Sequence, residues 1–419
     1  MDGAAAAPLV GLFGAFDTGD LGEIALRRVV EAELRRRRPD IELVVLAPFG
    51  SDRPIPGDEG RPARPLPAIA TEGLGLDALI ITGDVLLTDA GWAERYAVAP
   101  DALAGRGAGA LATTGRRGGS AAAGQVIWFA VGGTAAMDVD ISGLTGRDVW
   151  VRDSATQQRI GGTAVQSGDP VLLASRVFDS DALRRRADLL RMCGVLPAGR
   201  RLVLEVTRGI DPPALLDHLT ETIKAALRSD PSLSLIVLSL NPTAPVALGV
   251  NIRGPLGAQV HHLPVWVGLD DIAAAMSGAT AVVATTRTGE HLAAALGTPV
   301  EAIESSGTDG DALASHLAAL LLHGNPVDVT PAVTTLDGAL AELAERLPRA
   351  AVPSRNAVAA DPIESALAIL QRRLVDERTA LQAELSRLQA EIQHLQASPE
   401  HRIARPIRER YQRWQRRRT

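Results

Sequence analysis

Thr285-Thr-Arg-Thr-Gly-Glu-His-Leu-Ala-Ala-Ala-Leu-Gly-Thr-Pro299 is the stretch from which the fold is read. The apolar run Ala279 to Ala284 leads into it and has the composition of a buried strand in a parallel sheet. A hydroxyl-rich turn holding Arg287, Gly289 and Glu290 follows, and His291 opens an alanine-rich helix whose exit is marked by Gly297 and Pro299. In open α/β sheets, ligands sit beyond the carboxyl ends of the strands, near the first turn of the next helix. Unpaired N–H groups and the positive end of the helix dipole favour an anion there. Arg287 and His291 are thereby placed to meet a phosphate or carboxylate. The same residues also suit a charged, solvated turn at a helix start, so this stretch alone leaves both readings open.

Composition sets the bounds around it. A chain of 419 residues suggests two globular domains with extra segments. Apolar residues make up 46% but aromatics only 3%, so the interior must be built from Ala, Val, Leu and Ile. That mixture suits β-branched strands flanked by Ala/Leu helices. A formal net charge of −6 argues against a nucleic-acid binder. A lone cysteine, Cys193, excludes an internal disulfide framework and a cysteine metal cluster, and points to a reducing cytoplasm. The N-terminal Met-Asp-Gly followed by alanines lacks the positive region of a signal peptide, and no apolar run approaches the roughly 20 residues that span a bilayer. A soluble protein is expected.

In chain order, Pro8 to Gly14 reads as a strand, Leu21 to Arg38 as a helix and Ile41 to Leu46 as a strand, the repeating unit of a doubly wound sheet. Glycines 14, 19 and 22 allow tight turns and close approach of a ligand, but their spacing is not the dinucleotide fingerprint. Asp17 or Asp20 serves equally well as a helix N-cap. Ser51 to Pro67 reads as a surface loop, Ala78 to Ile81 and Gln125 to Val131 as strands, and Pro100 to Gly124 as a poorly packed helix and loop. Val149 to Asp153 is a strand end, Ser154 is expected to cap the next helix, and Gly168-Asp169-Pro170 closes the first domain. A helix from Asp181 to Cys193 bridges to a second half: strand Arg201–Val206, helix Pro213–Arg228, strand Ser234–Leu240, a strand near Val260–Leu263 and helix Asp270–Ser277. Helices Asp311–His323 and Thr335–Glu345 follow the opening stretch. The expected fold is α/β, with two Rossmann-like doubly wound domains in a glycosyltransferase-B-like arrangement, at 1–180 and 181–349.

A Pro-containing linker at 350–361 precedes Leu367, Leu374, Leu381, Leu388 and Leu395, which fall every seventh residue with Leu385 and Ile392 at the companion seam. Over about four heptads this predicts a coiled coil at 362–397 and a homodimer, with a single amphipathic helix folded on the body as the alternative. The tail, 398–419, carries Arg402, Arg405, Arg408, Arg410, Arg413 and Arg416 to Arg418 around Tyr411 and Trp414. Such a basic helix is expected to touch anionic lipid at the inner face of the plasma membrane, unless it is simply solvated.

Four segments resemble the polysaccharide pyruvyl transferase family, in order and spacing, between about residues 9 and 303. They are Gly11-Leu-Phe-Gly-Ala-Phe-Asp-Thr-Gly-Asp20; Asp77-Ala-Leu-Ile-Ile-Thr-Gly-Asp84-Val-Leu-Leu-Thr-Asp89; Val151-Arg152-Asp153-Ser154 with Asp169-Pro170 downstream; and Asp270-Asp-Ile-Ala-Ala-Ala-Met-Ser277 leading into the opening stretch. Ser398 to Arg408 is similar to tails that follow coiled coils in bacterial surface-polysaccharide enzymes. The resemblance implies transfer of a pyruvyl group from phosphoenolpyruvate, a co-substrate and not a resident cofactor, onto a glycan or lipid-linked sugar of a cell-surface polysaccharide. That chemistry needs cations for the donor, an acid for its methylene carbon and a base for the sugar hydroxyl. Aligned on Leu296-Gly297-Thr298-Pro299, the family's Arg-x-His pair falls on Thr286 and Thr288, with Arg287 one position later and His291 three later.

Because they lie at expected strand-to-helix junctions, Arg287 and Arg152 are assigned to donor anions, His291 to the acid and Asp20 to the acceptor or base. Thr18, Gly19, Gly83, Ser154, Thr286, Thr288 and Gly289 are expected to line the donor and substrate site. His218 and the pair His261-His262 are weaker candidates, and no metal site is expected. His291-Leu-Ala-Ala-Ala-Leu-Gly-Thr-Pro also resembles the donor helix of heptosyltransferase-type enzymes, in which Thr288 and Gly289 would hold a nucleotide-sugar diphosphate. A third reading is a catalytically degenerate member that scaffolds a polysaccharide assembly.

Overall fold

A computed structural model describes residues 7–17, 19–47, 63–65, 76–83, 125–132, 149–160, 164–206, 213–240, 259–264, 268–303 and 310–349. Thr18, Asp84 and the expected linker, coiled coil and basic tail from 350 onward lie outside them, as does the side chain of His218.

Two parallel sheets carry the fold. The first comprises β1 (Leu9–Phe13), β2 (Glu42–Ala47), β3 (Arg64–Pro65), β4 (Ala78–Gly83), β5 (Gln125–Val131), β6 (Val149–Val151) and β7 (Val165–Gln166), in the order β3-β2-β1-β4-β5-β6-β7. The second comprises β8 (Arg200–Glu205), β9 (Leu233–Leu238), β10 (Val260–His262), β11 (Ala281–Ala284) and β12 (Val300–Ala302), in the order β10-β9-β8-β11-β12. Neighbouring strands run parallel throughout: Val10 of β1 lies between Leu43 and Ala78, and Leu202 of β8 between Leu235 and Ala281. Central strands are covered on both faces, which is why they read as unbroken apolar runs; all of β4 and β11 is buried.

The order sets where each sheet reverses. From β1 the chain winds outward through β2 and β3, then returns to the other side of β1 as β4. From β8 it winds outward through β9 and β10, then returns beside β8 as β11. Each sheet therefore has a topological switch point, between β1 and β4 and between β8 and β11, where open α/β sheets bind their ligands.

Helix α1 (Leu21–Arg37) follows β1. Of the two aspartates proposed as its cap, Asp20 is the one: its Oδ1 accepts the Gly22 N–H at 2.8 Å and the Glu23 N–H at 3.4 Å. Further helices are α2 (Ser154–Ile160), a 3-10 helix (Pro170–Arg176), α3 (Ser180–Met192), α4 (Pro213–Ser229), α5 (Leu269–Ser277), α6 (Arg287–Ala295), α7 (Gly310–His323) and α8 (Thr330–Arg346). One hydrophobic core joins both halves, running from Val10, Ile24 and Ile80 through Val171 and Leu183 to Ile272, Leu292 and Leu340. A second lies beneath α4 and α7, around Leu219, Ile223, Val283 and Leu317.

Several expectations are corrected here. Ser51–Pro67 is not wholly loop, because Arg64 and Pro65 pair with the end of β2. α6 begins at Arg287, not at His291, so Arg287, Thr288 and Gly289 form its first turn. α8 begins at Thr330, five residues before Thr335, with Pro331 in its first turn, where the missing N–H costs nothing. This last helix returns to the first half. Arg38, at the end of α1, donates to Ala344, Leu347 and Pro348 carbonyls, and Arg346 stacks 4.6 Å over the Trp150 ring. Among the described residues no helix is long and apolar enough to cross a membrane.

Candidate functional site

The two switch points face each other. The Leu21 N–H, first in α1, donates to the Leu240 carbonyl just beyond β9 at 2.7 Å, so a helix of the first half starts on the backbone of the second. In the same turn, a methyl group added to Gly22 would stand 3.2 Å from the Thr288 Cγ2 and 3.4 Å from its Oγ1. The first turns of α1 and α6 therefore touch. At the end of β4, Gly83 has φ +103°, and a Cβ there would lie 2.3 Å from the Glu23 Oε2. Only glycine fits that position, both in backbone conformation and in space. Gly19, at φ +76°, makes the turn into the Asp20 cap.

Why α6 starts four residues earlier than its sequence suggests is explained by a residue in another strand. Thr286 is the N-cap, and its Oγ1 accepts the Gly289 N–H at 3.0 Å. Glu205, the last residue of β8 and fully buried, accepts from the Thr285 and Thr286 N–H groups at 3.0 Å each and from the Thr286 hydroxyl at 3.1 Å. A Cβ on Gly289 would lie 2.8 Å from the same Oε2. The chain thus supplies its own carboxylate at the head of this helix, the kind of place where a helix N-terminus favours an anion. Thr286 and Gly289 are committed to that carboxylate and to the cap.

The rest of α6 reaches across to the first half. Arg287 and His291, one turn apart, share a face of the helix. Arg287 Nη1 lies 2.7 Å from the Asp153 Oδ2, with its own side chain 54% exposed. Asp153 also accepts the Thr156 N–H at 2.7 Å, so it and not Ser154 caps α2; Ser154 is the first helical residue and is exposed. His291 Nδ1 is buried and stands 3.1 Å from the Asp169 Oδ2, within ion-pair range but off the straight hydrogen-bond line.

Asp169 is completely buried and three groups converge on it. Arg152 Nη1 lies 3.3 Å from the same Oδ2 that faces His291, while Oδ1 accepts the Val171 N–H at 3.0 Å and so caps the 3-10 helix. Burial pushes the Asp169 carboxyl up, but the Arg152 charge, the His291 contact and the Val171 N–H outweigh it and hold the group well below the usual carboxylate range. Arg152 is buried too, and its guanidinium packs on Gly132, where a Cβ would sit 2.8 Å from Nε. β5 makes room for it. That strand carries one extra residue between Trp128 and Val131 relative to both neighbours, with Ala130 at φ +52°.

Sequence reasoning thus finds the right junctions but not the partners. Asp20, Gly19, Gly83, Arg152, Thr286, Arg287, Thr288, Gly289 and His291 all stand at the facing strand ends, whereas His261 and His262 lie on the edge strand β10. Asp153 receives Arg287, Asp169 receives Arg152 and His291, and Glu205 receives Thr286. Two of these carried a signal, since they sit in the Arg-Asp-Ser and Asp-Pro segments. Glu205 carried none beyond closing a strand.

No family model matches the sequence, and no curated protein does. Among solved structures, the chain is similar to the E. coli ADP-heptose lipopolysaccharide heptosyltransferase II, at 13% identity and TM-score 0.42 over 75% of this chain and 98% of the other. It is similar to the UDP-GlcNAc 2-epimerase of Neisseria meningitidis bound to UDP-GlcNAc, at 13% identity and TM-score 0.46 over 80% of this chain and all (100%) of the other. The Methanocaldococcus jannaschii UDP-GlcNAc 2-epimerase, in complex with UDP-GlcNAc and UDP, aligns at 8% identity and TM-score 0.48 over 81% and 98%. At such identities and TM-scores the likeness extends no further than the fold, two parallel-sheet α/β halves.

Proposed function

We propose that this chain is a sugar-modifying transferase that moves a pyruvyl group from phosphoenolpyruvate to a sugar of a cell-surface polysaccharide precursor. The observation that carries the reading is the pairing on one helix face of a half-exposed guanidinium, Arg287, with an imidazole, His291, backed by a buried ionised carboxylate. Two of the segments that resemble the pyruvyl transferase family meet there, Arg152 and Asp153 with Asp169, and the stretch holding Arg287 and His291. In this reading the donor's anionic groups take Arg287 from Asp153, which they can reach because the Arg287 side of the pair is 54% exposed. His291 protonates the methylene carbon, and the donor's C2 becomes the electrophile. Two sugar hydroxyl oxygens bond to C2 while the C2–O bond to phosphate breaks. One hydroxyl proton is balanced by the proton gained at the methylene carbon, and the other leaves with phosphate. Asp20 is the proposed acceptor or base residue, its Oδ1 already holding two N–H groups. Arg152 keeps Asp169 charged and is not itself the donor ligand, because it is buried against that carboxylate.

A second reading has a specific observation behind it. Arg287 and the head of α6 are both satisfied by carboxylates of the same chain, Asp153 and Glu205, which suits a degenerate member acting as a scaffold. A thermal-shift titration of the full chain with phosphoenolpyruvate, beside a panel of nucleoside-diphosphate sugars, separates the readings. Pyruvyl transfer predicts a saturable rise with phosphoenolpyruvate that Arg287→Ala abolishes. A rise only with one nucleotide sugar makes the chain a heptosyltransferase-like glycosyltransferase, and no rise with any ligand leaves the scaffold.

A further inference from the structure

We propose that Asp169 is a positioning residue that fixes the tautomer of His291, keeping the proton on Nδ1 and leaving Nε2 as the nitrogen that exchanges protons with substrate. This deepens the pyruvyl transfer reading, in which His291 is the acid, and it rests on that reading only for its catalytic consequence. The geometry is independent of any donor. An ionised carboxylate accepts hydrogen bonds and donates none. Asp169 Oδ2 stands 3.1 Å from the His291 Nδ1, off the straight hydrogen-bond line, and at that separation a bare Nδ1 would bring its lone pair up to a negative oxygen. The charge of the carboxylate therefore favours the proton on Nδ1 over Nε2 in the neutral ring. Nδ1 is buried while the His291 side chain is 20% exposed, so the open part of the ring lies away from the carboxylate.

The surroundings keep the carboxylate in this role. Arg152 faces the same Oδ2 at 3.3 Å and Val171 N–H holds Oδ1, which prevents the group from rotating and favours its ionised form. Arg287, one turn earlier on α6, is paired with Asp153. Arg152 and Asp169 come from the first half and His291 from the second, so the nitrogen is aimed only when the halves are together. An imidazole held in this way by a buried carboxylate has a defined working nitrogen, a recurrent device of acid–base sites.

The test reads the tautomer directly, on the full chain without substrate. Histidine labelled with 15N is introduced, and two-bond 15N–1H correlations are recorded above the imidazole titration. The chain has 8 histidines, so His291 is assigned as the signal lost in His291→Gln. The expected spectrum shows a protonated Nδ1 and a bare Nε2. A protonated Nε2, or the averaged pattern of a free imidazole, overturns the proposal. Asp169→Ala is the second arm. It removes the carboxylate that faces Nδ1, so the averaged pattern of a free imidazole is expected, and a spectrum unchanged from wild type counts against the proposal. If that variant does not fold, the wild-type spectrum still decides. Turnover distinguishes the two claims. Asp169→Ala should lower kcat with phosphoenolpyruvate by about 100-fold or more with little change in KM, as expected when the working tautomer is no longer held. A wild-type chain with no phosphoenolpyruvate turnover sinks the transferase reading, while the spectrum still judges the role of Asp169.

Discussion

Asp169 is buried at a point where an unpaired carboxylate would cost several kcal/mol, and it persists there because Arg152 is buried against it. Removing one partner leaves the other charge stranded, so Asp169→Asn is expected to cost about 3 kcal/mol or more at pH 7. The pH dependence follows from the direction of its shift. The folded carboxyl lies below its unfolded value of about 3.9, so its contribution is fully present above that value and is lost as pH falls towards the folded one. The stability gap between wild type and Asp169→Asn should therefore narrow below about pH 4, measured by urea midpoints from pH 7 to pH 3. A gap of constant size across that range would mean that the ion pair is not its source. Little of this was legible in the sequence. Arg152, Asp169 and His291 each stand in a segment that attracted attention, but nothing in their spacing says that one oxygen serves two of them.

Elements were more legible, because parallel strands buried on both faces must be apolar from end to end and the helices between them announce their caps. Asp20 caps α1 through the short side-chain bonds its position allows. α6 is the instructive failure. Its true start is hidden because Arg287, Thr288 and Gly289 have no apolar periodicity and because part of what satisfies its head comes from Glu205, in a strand of the same sheet. An acceptor from a distant segment cannot be inferred from local propensity. The same reasoning predicts how the helix responds to mutation. Glu205→Ala removes this acceptor from three part-buried donors, of which the Thr285 N–H keeps the Glu205 backbone carbonyl, so a loss of about 2–3 kcal/mol is expected. Glu205→Gln keeps a carbonyl oxygen and forfeits mainly the charge at the helix head, about 1 kcal/mol. Urea denaturation of both variants checks the order. Equal losses would show that the charge of the carboxylate matters and that neither a neutral acceptor oxygen nor the side-chain volume does.

At the scale of the molecule, the two halves share one core and one set of polar ties, and both switch points open on the same region. The ties are directional. α1 of the first half meets α5 of the second through Arg28, whose Nη1 lies 3.1 Å from both oxygens of Asp270 and whose guanidinium sits 4.8 Å over the Phe178 ring. Both side chains are partly buried, at 20% and 31% exposed, so the pair is less screened than a surface ion pair, yet neither partner is fully desolvated. A double-mutant cycle on Arg28→Ala and Asp270→Ala is expected to give a coupling of about 0.5–1 kcal/mol in global stability. Arg28→Ala alone should cost more than Asp270→Ala alone, because it also gives up the stacking on Phe178, worth about 0.5–1 kcal/mol. Because the core is continuous from Ile24 to Leu292, the loss should appear in one unfolding transition shared by both halves. If calorimetry of Arg28→Ala instead resolves two transitions, the second close to the wild-type midpoint, the halves unfold separately and the shared core does not couple them.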